Sequence, residues 1–359
     1  MRVLLAGGGT AGHTSQLLAT AAVLADAGDD IVCLGTPRGL EVTLIPQAGH
    51  ALELVPPVPL PRRPNADLVK LPANLRRSVS ATLEVFDRFR PDVVVGFGGY
   101  VSVPAYLAAR RRKLPLVVHE GNALPGIANK LGARLTRHVA TSFPDTELRH
   151  GTYTGLPIRR QIADLDRHAS RAEGRRHFGL DPDRPTILVT GGSQGARRIN
   201  TTMAAAARDL ADAGIQVLHA AGRPEEVELD SRADDPPYVV EQYIDRIDLA
   251  YAAADLVVCR SGANTVTEVA AVGLPAVFVP LPIGNGEQAL NAHPVVGAGG
   301  ALLIEDGAFT PAWVDSAIVS LVTSPERLER MSQAASGIVR RDAAERLARM
   351  VHEAGEAGR

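Results

Sequence analysis

Residues 255–292, DLVVCRSGANTVTEVAAVGLPAVFVPLPIGNGEQALNA, limit the folds open to this chain more than any other stretch. Residues 256–259 are a short apolar run of strand composition and residues 261–264 are a polar turn. Residues 265–272 are an Ala-rich segment with helical spacing that Gly273 closes. Strand, turn, helix and strand in that order make half of a doubly wound α/β domain. Such a turn aims unpaired backbone N–H groups and the positive end of a helix dipole out of the carboxyl edge of a parallel sheet. An anion docks there, and phosphate is the default. Glu268 falls in the first turn of the expected helix, and spacing leaves two readings of it. Its carboxylate reaches forward to a pair of sugar hydroxyls, or back to a cap at Thr265, because Thr-x-x-Glu is also a capping box.

The chain is long enough, at 359 residues and 45% hydrophobic, to bury two cores. Its 34 Gly and 25 Pro, interleaved with short Val/Leu/Ile runs, favour α/β architecture with tight strand-to-helix turns over a helical bundle. No stretch is apolar over the roughly 18 residues that a membrane helix needs, and the start MRVLLAGGG lacks the plan of a signal peptide, so a cytosolic location is expected. Cys33 and Cys259 are the only cysteines. Each lies inside an expected strand, which argues for buried small hydrophobes over a redox pair or a metal site.

The net charge of −2 hides an asymmetry. Residues 1–160 hold 19 Lys/Arg against 12 Asp/Glu (+7), leaving 19 against 28 (−9) for the remainder, so the first half is expected to meet something anionic. Residues 56–77 carry Arg62, Arg63, Lys70, Arg76 and Arg77 opposed only by Asp67, among Leu60, Leu68, Val69, Leu71 and Leu75. That mixture suits an anionic lipid surface, each cation adding about 1 kcal/mol. A solvated face with ordinary salt partners would look the same. Nucleic acid is disfavoured, because aromatics are 4% of the chain and no stacking platform shows.

Further units repeat the opening plan. Residues 3–6 read as a strand, followed by the turn GGGTAGH and a helix over about 14–27. The turn is not a usual G-x-G-x-x-G, and no acidic residue closes the next strand at 31–35, which argues against a dinucleotide oxidoreductase. Residues 92–113 give strand, the turn GFGGY and a helix. Residues 116–118 give a strand that ends at His119, Glu120, Gly121 and Asn122. In a parallel sheet His13, residues 98–102 and residues 119–122 converge on one cleft. Against that, any strand-to-helix loop is polar, and a lone histidine is often only a cap. Residues 187–190 open another unit, with the turn GGSQGAR and a helix running to Leu210; residues 280–291 read as a loop holding Glu287, Gln288 and Asn291. The expected division is residues 1–158, residues 159–339, and a C-terminal helix within 340–359 that packs back on the first domain, with Val339, Ala343, Leu347 and Val351 on one face.

Taken in order, GGGTAGH (7–13), GFGGYVSVP (96–104), HEGN (119–122) with PGIANK (125–130), GGSQGARRIN (191–200), CRSGANTVTEVAAVGLPAVFVP (259–280) and EQALNA (287–292) resemble the MurG family of bacterial peptidoglycan synthesis, in the glycosyltransferase-B superfamily. The resemblance spans nearly the whole chain. No single turn is specific, but six in this order are. It implies two Rossmann-like α/β domains facing across a cleft. It also implies an inverting transfer of GlcNAc from UDP-GlcNAc to the C4 hydroxyl of the MurNAc in undecaprenyl-pyrophosphoryl-MurNAc-pentapeptide (lipid I), giving lipid II and UDP. It implies no cofactor and no catalytic metal. The place it implies is the cytoplasmic side of the cell membrane, peripherally bound, with a role in cell-wall biogenesis and through it in cell shape and division.

Carried over by residue, the donor contacts fall on Ser193, on Ile244 for the uracil edge, on Ala263, Asn264, Thr265, Val266, Thr267 and Glu268 around phosphate and ribose, and on Gln288 for the sugar hydroxyls. Thr10, Ala11, Gly12, Asn122 and Arg159 complete them from the first domain and linker. The chain departs from the family pattern at Gly121, where many members have Gln, at Leu156, where Asn is usual, and at Glu287, where a second Gln is common. It also lacks the proline often found just after the first loop. For the acceptor proton His13 is the expected base and Glu120 the competing candidate, with binding of the acceptor pyrophosphate as the other reading of His13. Helix N-termini at 192–197 and 262–266, with an arginine, would neutralise the departing diphosphate. The same fold also suits a UDP-GlcNAc 2-epimerase, a glycosyltransferase with a soluble acceptor, or a nucleotide-sugar sensor without turnover.

Overall fold

The computed structural model describes residues 1–58, 67–192, 195–230, 232–283 and 285–358, with backbone alone at 67–69. The chain divides into two compact units, Met1–Arg159 with Arg340–Arg359, and Arg160–Val339.

The first unit is built on strands β1 (Arg2–Ala6), β2 (Asp30–Gly35), β3 (Ala51–Leu54), β4 (Val93–Gly96), β5 (Leu116–Glu120), β6 (His138–Thr141) and β7 (Gly151–Tyr153). They form one parallel sheet in the order β3-β2-β1-β4-β5-β6-β7. Helices α1 (Ala11–Asp26), α2 (Glu41–Gln47), α3 (Asp67–Phe89), α4 (Ser102–Arg112) and α5 (Ile127–Gly132) connect them. The central strands are covered on both faces, which is why they read as unbroken apolar runs and not as alternation. Val3, Leu4, Leu5, Val93, Val94 and Val95 are fully buried. Leu4 and Val94 face Val79, Phe86 and Tyr106 from α3 and α4, while Val3, Leu5 and Val95 face Leu17 and Leu24 of α1.

The C-terminal helix Ala343–Ala357 adds Leu347, Val351 and Ala354 to that second core. Beside it, Asp29 accepts from the Met1 amine at 2.7 Å and pairs with His352 Nε2 at 2.6 Å. One carboxylate thus ties the start of β1 to the last helix.

In the second unit β8 (Thr186–Thr190), β9 (Gln216–Ala220), β10 (Tyr238–Glu241), β11 (Leu256–Cys259), β12 (Ala276–Phe278) and β13 (Ala301–Leu303) form a parallel sheet in the order β10-β9-β8-β11-β12-β13. Its helices include α6 (Arg160–Ala163), α7 (Arg167–His177), α8 (Arg197–Ala205), α9 (Ala207–Asp212), α10 (Ile247–Ala253), α11 (Ala263–Ala271) and α12 (Glu287–Gly297). Both sheets therefore reverse direction at one point, between β1 and β4 and between β8 and β11. In doubly wound sheets the crevice at that reversal is where ligands bind. The register Ala6↔Gly96 sets the loops after β1 and β4 side by side, and Thr190↔Cys259 does the same for those after β8 and β11.

Several expected boundaries move. The first helix begins at Ala11, three residues early, because Thr10 caps it. The helix after β11 begins at Ala263, which overturns the Thr265–Glu268 capping box: the N-cap is Gly262, and Glu268 sits in the second turn. The helix expected to run to Leu210 breaks at Ala206 into α8 and α9. Residues 287–291 are helical and not loop, so Glu287 and Gln288 open α12 and Asn291 is buried within it. Cys33 and Cys259 are buried, and burial pushes the Cys33 thiol up to about 12 and the Cys259 thiol up as well.

Candidate functional site

In the first unit the site is built around the loop from β1 to α1. Thr10 is the N-cap of α1 in extended backbone, and its hydroxyl accepts from His13 N at 3.3 Å, so the cap fixes His13 in the first turn. The His13 ring then turns back on the loop, with Nδ1 3.2 Å from the Gly8 carbonyl and 3.1 Å from Thr10 Oγ1. A carbonyl oxygen only accepts, so Nδ1 carries the hydrogen and the neutral ring keeps its lone pair on Nε2. No described residue bonds Nε2. The loop after β4 wraps that edge of the ring. Gly98 has φ +89°, and a Cβ there would lie 3.2 Å from both His13 Nε2 and Asn129 Nδ2, so only glycine fits between them.

Glu120 ends β5 and is 2% exposed. Oε1 accepts from Asn122 N at 2.9 Å, and Oε2 accepts from Gly126 N and Asn129 Nδ2, each at 2.9 Å. Asn129 Oδ1 in turn accepts from the buried Tyr106 hydroxyl at 2.7 Å, and Asn129 also donates to the His119 carbonyl. Glu120 is thus the post that shapes the 121–126 loop and presents the half-buried Asn122. His119 is fully buried beside Ser142 Oγ (3.2 Å) and the Phe97 ring, and burial pushes it down to about 4, so it is neutral at pH 7. Ala11 and Gly12 lie half-buried at the start of α1, and Arg159 lies half-buried where the first unit ends.

The second unit offers helix ends. Its first loop, after β8, leads into α8 with Ala196 as a cap that makes no side-chain bond. Ser193 lies outside the described residues. Arg197 is exposed, while Arg198 turns away to the Asp306 and Gly307 carbonyls. After β11, Arg260 spends itself on the Val279 and Pro280 carbonyls and on Asp306, 2.6 Å away. Ser261 is fully buried, with no hydrogen-bond partner for its hydroxyl among the described residues, and Gly262 caps α11 without a side chain. The start of α11 therefore has no side-chain cap, and the dipole there favours an anion.

Ala263, Val266 and Thr267 are buried, and Asn264 and Thr265 half-buried, along that first turn and a half. Glu268 is 6% exposed, and Oε2 accepts from Tyr251 Oη at 3.0 Å. Gln288 Oε1 accepts from Leu281 N at 2.9 Å, which leaves its amide N–H groups as the reaching end. Ile244 is buried beyond the carboxyl end of β10.

A family model described as the glycosyltransferase family 28 N-terminal domain matches residues 3–141, and the family 28 C-terminal domain matches residues 186–347. The chain belongs to glycosyltransferase family 28. Among curated relatives, the UDP-N-acetylglucosamine--N-acetylmuramyl-(pentapeptide) pyrophosphoryl-undecaprenol N-acetylglucosamine transferase of a Nocardioides species is 63% identical, over 99% of this chain and 98% of its own. The protein of that name in Streptomyces coelicolor is 54% identical over the same shares. Among solved structures, MurG of Acinetobacter baumannii superposes with a TM-score of 0.78 at 26% identity, over 98% of this chain and 99% of that one. A UDP-GlcNAc 2-epimerase of Neisseria meningitidis, solved with UDP-GlcNAc, shares the fold at TM-score 0.68 and 14% identity. The fold of this family 28 chain is that of the glycosyltransferase-B superfamily.

Sequence reasoning passed over Glu41, Tyr106, Asn129, Tyr251 and Ser261. Tyr106, Asn129 and Ser261 lay inside stretches that attracted notice, but not as site residues. The rest act by contacts remote in sequence, and no local pattern marks them.

Proposed function

We propose that the protein moves GlcNAc from UDP-GlcNAc to the C4 hydroxyl of the MurNAc in undecaprenyl-pyrophosphoryl-MurNAc-pentapeptide, with inversion, releasing UDP. The observation that carries this reading is the 63% identity over 99% of the chain to a transferase named for that reaction. The acceptor oxygen attacks the anomeric carbon, the bond from that carbon to the diphosphate oxygen breaks, and the hydroxyl proton goes to His13 Nε2. The tautomer held by Gly8 supports that assignment, because it places the lone pair on the nitrogen that carries no other bond among the described residues. Glu120 serves better as a post than as a base, since three donors already occupy its two oxygens.

The leaving diphosphate would lie at the uncapped start of α11, with Glu268 accepting from the ribose hydroxyls and Gln288 donating to the sugar. Asn264, Thr265 and the backbone of residues 263–267 would line it. Thr10, Ala11, Gly12, Asn122 and Arg159 are the donor contacts proposed for the first unit. The enzyme would work peripherally at the cytoplasmic face of the cell membrane. Exposed Lys70, Arg76 and Arg77 on α3, and Arg110, Arg111 and Lys113 closing α4, support contact with anionic lipid. Arg62, Arg63, Leu60, Leu68 and Val69 of the basic stretch lie outside the described side chains. Among the described residues no helix is long and apolar enough to cross a membrane.

Labelled UDP-GlcNAc incubated with a lipid I analogue in anionic vesicles, with and without EDTA, tests the reading. Lipid II and UDP in equal amounts in both arms are expected. Sugar inversion or UDP release that needs no acceptor would move the assignment to an epimerase.

A further inference from the structure

We propose that Glu41 is a positioning residue for His13 and acts on it through the Gly8–Gly9 peptide group. Glu41 opens α2 and is 0% exposed, yet no cation pairs with it among the described residues. A buried carboxylate without a counter-ion is costly unless donors satisfy it. Here Oε1 accepts from Thr36 N at 3.3 Å and Thr36 Oγ1 at 2.9 Å, and Oε2 accepts from Gly9 N at 3.1 Å. The loop leaves room for it: a Cβ on Gly8 would stand 2.6 Å from Oε1, and one on Gly35 2.9 Å from the Glu41 Cγ.

The Gly9 N–H and the Gly8 C=O are the two ends of one planar peptide. Its N–H end is held by Glu41 and its C=O end lies 3.2 Å from His13 Nδ1. A continuous line therefore runs from imidazole N–H to carbonyl, across the amide, and from amide N–H to carboxylate. Hydrogen bonds in such a chain polarise one another, by roughly 10–30% per bond. The negative end pulls on the amide hydrogen and makes the carbonyl a stronger acceptor. That holds the proton on Nδ1, keeps Nε2 basic and stabilises the imidazolium once Nε2 is protonated. In hydrolytic triads a carboxylate orients histidine directly; here one peptide stands between them.

Other ionisable groups around the ring are accounted for. His119 on β5 is neutral by burial, its value down to about 4. Glu120 is held by three donors, Tyr106 on α4 is buried against Asn129, and Tyr100 lies on the loop that wraps the ring. The C-terminal helix brings His352 to Asp29, past the opposite end of α1.

The test is an NMR titration of the His13 ring in protein carrying labelled histidine, assigned by loss of its signal in His13→Ala, for wild type, Glu41→Gln and Thr36→Val. Glu41→Gln is expected to lower the His13 pKa by about half a unit to one unit, since it removes the charge that favours imidazolium. The acid limb of kcat/KM should move down by the same amount and kcat should fall about tenfold, with KM for UDP-GlcNAc unchanged. Thr36→Val loosens the other carboxylate oxygen and should leave the His13 titration in place. An unshifted His13 titration in Glu41→Gln, with only a lower unfolding temperature, would overturn the proposal and leave Glu41 a fold post. This proposal rests on the reading of His13 as base only for its kinetic arm. A shifted ring titration with an unmoved acid limb would uphold the coupling and remove His13 as base.

Discussion

The two units share a strand order over six strands and differ in what they do with the first helix of the sheet. In the first, α1 is closed by its own side chain: Thr10 accepts from His13 N, and the loop before it is tied to Glu41. In the second, α8 and α11 begin at Ala196 and Gly262, neither of which makes a side-chain cap, and the Ser261 hydroxyl beside α11 has no hydrogen-bond partner among the described residues. A capped helix end has spent the donors that an anion would use; an open one has not. On the proposed function, the first unit holds the proton acceptor and the second the diphosphate. The contrast is confined to the first helix of each sheet, α1 against α8, since α4 after β4 and α11 after β11 both start without a side-chain cap.

The largest expected effects come from separating these jobs. His13→Ala should lower kcat by about a thousandfold while leaving KM for UDP-GlcNAc within about twofold. Glu268→Ala should do the reverse, raising that KM about 10- to 100-fold through a lost charged hydrogen bond. Steady-state kinetics with both substrates varied checks the pair; equal changes in both constants for both variants would dissolve the contrast.

A middle-sized effect should be common to the two units, because each hides a neutral histidine. His219 on β9 is buried between Tyr238 Oη (3.0 Å) and Asn200 Oδ1 (3.1 Å), and burial pushes it, like His119, down to about 4. The unfolded chain binds these protons near 6.5 and the folded chain only near 4. Their contribution to stability is therefore present above pH 6.5 and lost as the pH falls toward 4. Urea unfolding across that range should show this slope, and His219→Gln should remove about one proton of it.

The smallest effect is the sharpest on the caps themselves. Thr10→Ala should cost about 1 kcal/mol of stability. Gly262→Ala, where a Cβ meets nothing within 4 Å at an ordinary φ of −63°, should stay within about 0.5 kcal/mol. Thermal unfolding of the two variants reads the difference.

Much of this was legible in the chain. Strands such as β1, β4, β8 and β11 announce themselves because burial on both faces demands unbroken Val/Leu/Ile runs, and their glycine turns fixed where the crevices lie. Caps were less legible. Thr265–Glu268 fits a capping box by spacing, but α11 starts two residues earlier because Gly262 in extended backbone already begins the turn. Residues 287–291 read as loop because Pro and Gly crowd residues 280–286 and Pro294 follows, yet Pro294 sits inside α12. Glu41 gave no signal at all. Its partners Gly9 and Thr36 lie on different loops, and β3, β6, β7 and β13 are only three or four residues long, too short for a period to show.

The most direct test of the division of labour is a crystal of the protein soaked with UDP-GlcNAc. The diphosphate is expected at the open N-terminus of α11, with the ribose hydroxyls on Glu268 and with the capped start of α1 free of phosphate. A diphosphate bound instead at the Thr10 cap, with α11 empty, would contradict the account.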